Sequence, residues 1–169
     1  MRLAGTIRDG CRLLNSRVRR SSQLAWVLLV LLVPVLQAEP YVQWEMQNYV
    51  VDGSLAGLKG DPRRGRKIAI ARGKGNSLAC HRLPIPEEEF HGTLGPPLYD
   101  IGARLTEGQI RLRIIDEKQV NPMTIMPGFY RDPSHFYRVL DEYEGKTILT
   151  PQEVEDVVAY LRTLRKMQK

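Results

Sequence analysis

Gly73-Lys74-Gly75-Asn76-Ser77-Leu78-Ala79-Cys80-His81-Arg82-Leu83-Pro84 is the stretch on which the reading of this chain turns. It sets one cysteine beside one histidine, directly after a basic segment with helical character. Cys-x-x-Cys-His is the haem-attachment pattern, with two thiols for the vinyl groups and an imidazole for the iron. Here Ser77 stands where the first cysteine would be. Most of a haem site is therefore present, with one covalent anchor missing. The rest of the chain either completes that site or contradicts it.

A length of 169 residues suits one domain and a leader. The formal charge of +6 is concentrated at the start, where Arg2, Arg8, Arg12, Arg17, Arg19 and Arg20 face only Asp9. Without residues 1–38 the charge falls to +1, which removes the case for nucleic-acid binding. Leu24–Leu36 is apolar and uncharged, preceded by arginines and followed by Gln37-Ala38. That order predicts a signal peptide over residues 1–38, and so an exported, periplasmic protein. The apolar run falls short of the ~20 residues that a stable membrane span needs; an uncleaved anchor is the alternative. Cys11 lies in the leader, so the mature chain has Cys80 alone and no intrachain disulfide. A lone thiol in an oxidising compartment calls for a covalent or metal-bound use.

After the leader, residues 39–60 read as an extended arm with turns, carrying a short strand near Tyr49–Val51. Tyr41, Trp44 and Tyr49 in it suit either the domain or a partner. Asp61-Pro62 opens a helix through Arg63–Arg72, with aspartate as cap, proline in the first turn and Gly73-Lys74-Gly75 as the stop. From Arg82 to Asp100 prolines and glycines dominate, and a loop that long is expected to wrap something functional. Thr106 caps a second helix with Ile110, Leu112, Ile114 and Ile115 inside it, although their alternation also allows a strand. Asn121–Tyr130 is again turn-rich, and residues 132–140 suit a loop with a short helix. Thr150-Pro151-Gln152-Glu153 is a capping box that opens the final helix, whose stripe is Val154, Val157, Val158, Leu161 and Leu164. Lys166 and Lys169 suit its C-terminal end. The sum is an all-α domain over 61–169 with few helices, long loops and a core that needs an added apolar body.

Within that outline His81 is the candidate axial ligand. Its other ring nitrogen needs an acceptor, and a carbonyl of Gly95-Pro96-Pro97-Leu98 is suited to supply it. Met126, between Ile125 and Pro127, is the candidate second ligand, with Met123 as its competitor and gap-filling in the core as the plain alternative. His91 and His135 are the alternative ligands, although each is expected to lie at the surface. One cysteine and three scattered histidines do not make a structural zinc site. Adjacent cysteine and histidine side chains diverge, which argues against a cysteine hydrolase. No phosphate-binding glycine loop is present.

The residues then carry a resemblance. Asp61-Pro62-Arg63-Arg64-Gly65-Arg66-Lys67-Ile68-Ala69 and Gly75–His81 resemble the opening of SoxX, the monohaem c-type cytochrome subunit of the sulfur-oxidation system. The likeness continues through Gly95-Pro96, Gly102-Ala103-Arg104, Gln109–Arg113, Asn121-Pro122, Ile125-Met126-Pro127 and Leu149-Thr150, and ends with Val154–Leu161. It spans residues 49–165. What it implies is a class I cytochrome c fold and one haem c per chain, with a thioether at Cys80, His81 as proximal ligand and Met126 as distal ligand. Gly65 and Tyr160 would lie where the terminal helices cross. The implied partner is a SoxA-like haem subunit that carries its own catalytic cysteine. The pair would act as a heterodimeric L-cysteine S-thiosulfotransferase on thiosulfate, this chain passing electrons to a soluble cytochrome without being catalytic alone. Ser77 departs from the pattern, because a serine hydroxyl is a far poorer nucleophile than a thiol. The expectation is a haem held by a single thioether. The rival readings are a haem-free structural partner and a class I cytochrome of another respiratory pathway.

Overall fold

The computed structural model describes residues 41–136 and 138–166; the proposed leader, Cys11 and Lys169 lie outside them. Among the described residues four α-helices carry the architecture: α1 (Pro62–Ile70), α2 (Ile101–Arg104), α3 (Glu107–Asp116) and α4 (Pro151–Thr163). Short 3-10 turns punctuate the connections, one of them at Ser77–Ala79. No strand occurs among the described residues, and none of their helices is long and apolar enough to cross a membrane.

Local chemistry starts each long helix. Asp61 accepts from the Arg63 and Arg64 amides at 2.7 and 3.3 Å, and Pro62 occupies the first turn of α1. Thr106 and Gln109 form a reciprocal capping box at α3, and Thr150 and Glu153 form another at α4. The Thr106 box resolves the helix-or-strand ambiguity of 106–115 in favour of helix. Two helices end earlier than their patterns predict. α1 stops at Ile70, because the chain folds back and the Lys74 and Asn76 amides both bond the Ala71 carbonyl. α4 stops at Thr163, with Leu164 extended, so Arg162 and not Lys166 is the cation in its last turn. The strand expected near Tyr49–Val51 is instead a tight turn closed by one bridge, Gln47 to Val50, with Asn48 and Tyr49 at positive φ. Among the described residues of 132–140 the regular structure is the 3-10 turn Pro133–His135.

α1 and α4 cross with their backbones in contact. A Cβ on Gly65 would lie 1.8 Å from the Asp156 carbonyl oxygen and 2.9 Å from Tyr160 Cβ, so the crossing exists only because residue 65 has no side chain. Beside it the buried Asp156 carboxylate accepts from the Asp61 amide (2.7 Å), Arg64 Nε (2.6 Å), Arg64 Nη2 (2.8 Å) and Gln152 Nε2 (2.9 Å). A second buried ion pair ties α3 to α4. Arg111, 1% exposed, forks onto Glu155 at 2.8 and 2.9 Å and donates to the Val51 carbonyl at 2.8 Å. Glu155 also accepts the Leu55 amide, so the N-terminal arm is fastened to the same pair. Removing one member of such a pair costs about 3–5 kcal/mol, because the other charge stays buried. The arm's aromatic residues divide: Tyr41 stacks on Tyr130 with centroids 5.0 Å apart and Trp44 packs on the core, whereas Tyr49 is exposed.

Burial of Asp156 works against its ionisation, but the bonds from Arg64, the Asp61 amide and Gln152 outweigh it and hold the carboxyl below the usual range. A depressed folded-state value means that this stabilisation is present above the unfolded value of about 3.9 and is lost as pH falls through the folded one. Asp156→Asn is therefore expected to be less stable than wild type at pH 7, with the gap closing below about pH 4. Urea unfolding across that range tests it; a gap of constant size down to pH 2 would contradict the assignment.

Candidate haem site

α1 delivers the chain to Ala71, and the turn over residues 72–75 leads to Asn76 in the left-handed region (φ 40°). The 3-10 turn at Ser77–Ala79 follows, closed by Cys80 N–H and His81 N–H, which both donate to the Ser77 carbonyl (3.1 and 2.8 Å). Three residues per turn place side chains 77 and 80 on one side. That is the spacing two thioethers would need; Cys80, half-buried and free, occupies one position and Ser77 the other.

The proline- and glycine-rich loop then lies back across this turn as a strap. Gly92 N–H donates to the Leu78 carbonyl (2.7 Å), Gly95 N–H to Cys80 (2.8 Å) and Leu98 N–H to Arg82 (2.9 Å). Close approach requires glycine at the first two. A Cβ on Gly92 would be 2.0 Å from the Ala79 carbonyl oxygen, and one on Gly95 would be 2.2 Å from His81 Cε1. The strap carries the Pro96 carbonyl to 2.8 Å from His81 Nδ1.

That contact fixes the imidazole's tautomer. A carbonyl only accepts, so Nδ1 carries the proton and the Nε2 lone pair is left for a metal. His91 has the opposite arrangement. Leu83 N–H donates to its Nδ1 at 3.2 Å, so Nε2 carries the proton and points at the Glu88 and Ile85 carbonyls (3.0 and 3.3 Å). Both its nitrogens are engaged within the protein, and it has no lone pair to offer iron. His135 lies exposed on its 3-10 turn.

Of the two methionines, Met123 is 88% exposed, whereas Met126 is half-buried against the core, its amide bonded to Thr124 Oγ1 at 3.1 Å. The segment that carries Met126 is fastened to the end of α3 by Phe129 N–H to the Ile114 carbonyl and Tyr130 N–H to Ile115 (3.1 and 3.2 Å). A groove of about 270 Å³ lies beyond Pro127, lined by Arg131, Phe136, Leu140 and Lys146 among others. None of Ser77, Cys80, His81, Pro96 or Met126 lines it.

This donor set suits a haem: a thiol, an imidazole with Nε2 free, and a thioether on a separate anchored loop. Leu94, in the strap, and Ile125, beside Met126, leave large apolar side chains in the open, as expected of surfaces that a porphyrin would cover. The sequence pointed to the Gly95–Leu98 segment for the acceptor of His81, and the acceptor is the Pro96 carbonyl. It did not show that the His81 ring fills the space of a Gly95 side chain, nor that His91, expected at the surface as an alternative ligand, is half-buried with both nitrogens engaged. Gly95 announces itself only as the residue before a Pro-Pro pair.

Residues 63–165 match the family model described as Cytochrome c, and with an all-α class I cytochrome c fold around this site the chain belongs to the cytochrome c family. Within that family it is a SoxX-type cytochrome. It is similar to the crystal structure of SoxXA from P. pantotrophus, with 37% identity and a TM-score of 0.66. The match covers 73% of this chain and 95% of that one. No curated protein matches.

Gly95→Ala is expected to push the His81 ring off the Pro96 carbonyl without unfolding the helices. Loss of such an outer-shell partner typically weakens metal binding about 10–100-fold. The ratio of haem to protein absorbance, with far-ultraviolet circular dichroism as the folding control, measures it. Wild-type haem content in the variant would show that the Pro96 contact does not matter.

Proposed function

We propose that this chain is the electron-transfer cytochrome of an exported, periplasmic thiosulfate-oxidising complex of SoxAX type. It would pair with a SoxA-like haem subunit, accept that subunit's electrons and pass them to a soluble cytochrome. The observation that carries the reading is the 2.8 Å contact between His81 Nδ1 and the Pro96 carbonyl, which leaves Nε2 as a prepared ligand. The 37% identity to the SoxXA structure supports the complex type.

Haem c, when bound, supplies reversible one-electron chemistry at its iron. His81 and Met126 are the proposed axial ligands, and thioether ligation favours a raised potential suited to accepting electrons. Pro96 holds His81 in the required tautomer. Cys80 supplies a single thioether, and Ser77 contributes none because its hydroxyl is too weak a nucleophile. The Cys80 thiol is committed to the cofactor and is not the residue that takes up thiosulfate. Haem is the proposed redox centre.

The test is co-expression with the SoxA-like subunit under conditions that mature c-type cytochromes. The expected result is a stable pair in which thiosulfate and a carrier-protein thiol reduce this chain's haem only when the partner is present. Failure to pair, or equal reduction by unrelated respiratory donors without it, would favour a different respiratory pathway. A pair that forms without haem in this chain would favour the haem-free structural role.

A further inference from the structure

We propose that His91 is a positioning residue for the haem ligand, acting through the loop between His81 and the Pro96 strap; the proposal rests on the haem reading above. His91 is the last residue of a ten-residue excursion that leaves the site at Arg82 and re-enters it at Gly92. Its ring sits half-buried inside that excursion and holds it at three points: the Leu83 amide and the Ile85 and Glu88 carbonyls. Leu83 and Ile85 are each 1% exposed, so the Leu83 amide has no ready substitute in water for the acceptor that His91 provides. On the outside the loop is tethered by the Arg66–Glu87 ion pair, which is exposed and worth little. His91 is thus the inner clasp.

The geometry links that clasp to the iron ligand in two steps. Leu83 is two residues beyond His81, and Gly92, the residue after His91, makes the first strap bond, to the Leu78 carbonyl. The clasp therefore brings together the two ends of the loop whose far strand carries Pro96. Without it the strap can slide relative to the 78–82 turn, and the Pro96 carbonyl ceases to fix the plane of the His81 imidazole. The work needs the neutral Nε2–H form: Nδ1 must accept the amide while Nε2 donates. Asparagine preserves the essential half, because its Oδ1 stands where Nδ1 accepts. Glutamine puts its amide at the far end of the ring's position and leaves Leu83 N–H without an acceptor.

The experiment uses the ferric holoprotein, its haem attachment first verified, and reads the hyperfine-shifted haem methyl protons by NMR, which report the orientation of the axial imidazole plane. His91→Ala is expected to shift or broaden the methyl pattern at temperatures well below unfolding, and His91→Asn to restore it. A control with similar lost stability elsewhere in the core, Ile110→Val or a stronger truncation at Ile110, is expected to keep the wild-type pattern. Should His91→Ala not accumulate, the Asn and Gln variants decide, with Gln shifted and Asn not. An unshifted His91→Ala, an equal shift in the stability-matched control, or identical Asn and Gln spectra would overturn the inference. A wild-type chain that carries no haem would overturn the haem reading and this inference with it, whereas a haem-bearing wild type with an unshifted variant would overturn the inference alone.

Discussion

The contact on which the rest depends is the backbone-to-backbone crossing of α1 and α4 at Gly65. Any side chain there would meet the Asp156 carbonyl, and the helices would have to part. The crossing fixes the exit of α1, and the turn that presents Cys80 and His81 begins seven residues after that helix ends. It is reinforced by charge where it is closest, since Asp156 gathers the Asp61 amide, Arg64 and Gln152 at the same point. One residue earlier on α4, Glu155 takes Arg111 from α3 and the Leu55 amide from the arm. Two adjacent carboxylates on one helix thus hold three other segments, which is how a small domain with long loops keeps a defined frame.

On that frame the site is built mainly from backbone. The strap meets the turn through main-chain hydrogen bonds, and the protein atom that faces His81 Nδ1 is itself a carbonyl. Two histidines ten residues apart end in opposite tautomers because one faces an acceptor and the other a donor. Their environments, and not their proximity to Cys80, decide which of them has a lone pair for a metal.

What could be read from the sequence was what local chemistry determines. Asp61-Pro62 and Thr150-Pro151-Gln152-Glu153 carry their caps within four residues, and the helices start there. Thr106 as a cap pointed to a helix in a stretch whose alternation alone was ambiguous, and the structure added Gln109 as the other half of its capping box. The haem-like motif was visible because its parts are adjacent. Features that depend on distant partners were hidden. Arg111 looks like a solvent-facing charge in a helix until Glu155, 44 residues away, is placed beside it. The end of α1 at Ile70 depends on Lys74 and Asn76 folding back on Ala71, which no propensity encodes. Gly95 is a loop glycine like others until the His81 ring is seen where its side chain would be. The single-residue departure at Ser77 was legible at once, and its consequence is chemical: the turn keeps the geometry for two attachments while offering one thiol.

The most direct test of that account is the pyridine haemochrome spectrum of the wild-type chain beside Ser77→Cys, both matured with the c-type attachment machinery. A single thioether gives a wild-type band intermediate between b- and c-type positions, resistant to acid–acetone extraction, and a shift to the full c-type position in Ser77→Cys. A wild-type haem that extracts completely, or a band already at the two-thioether position, would contradict it.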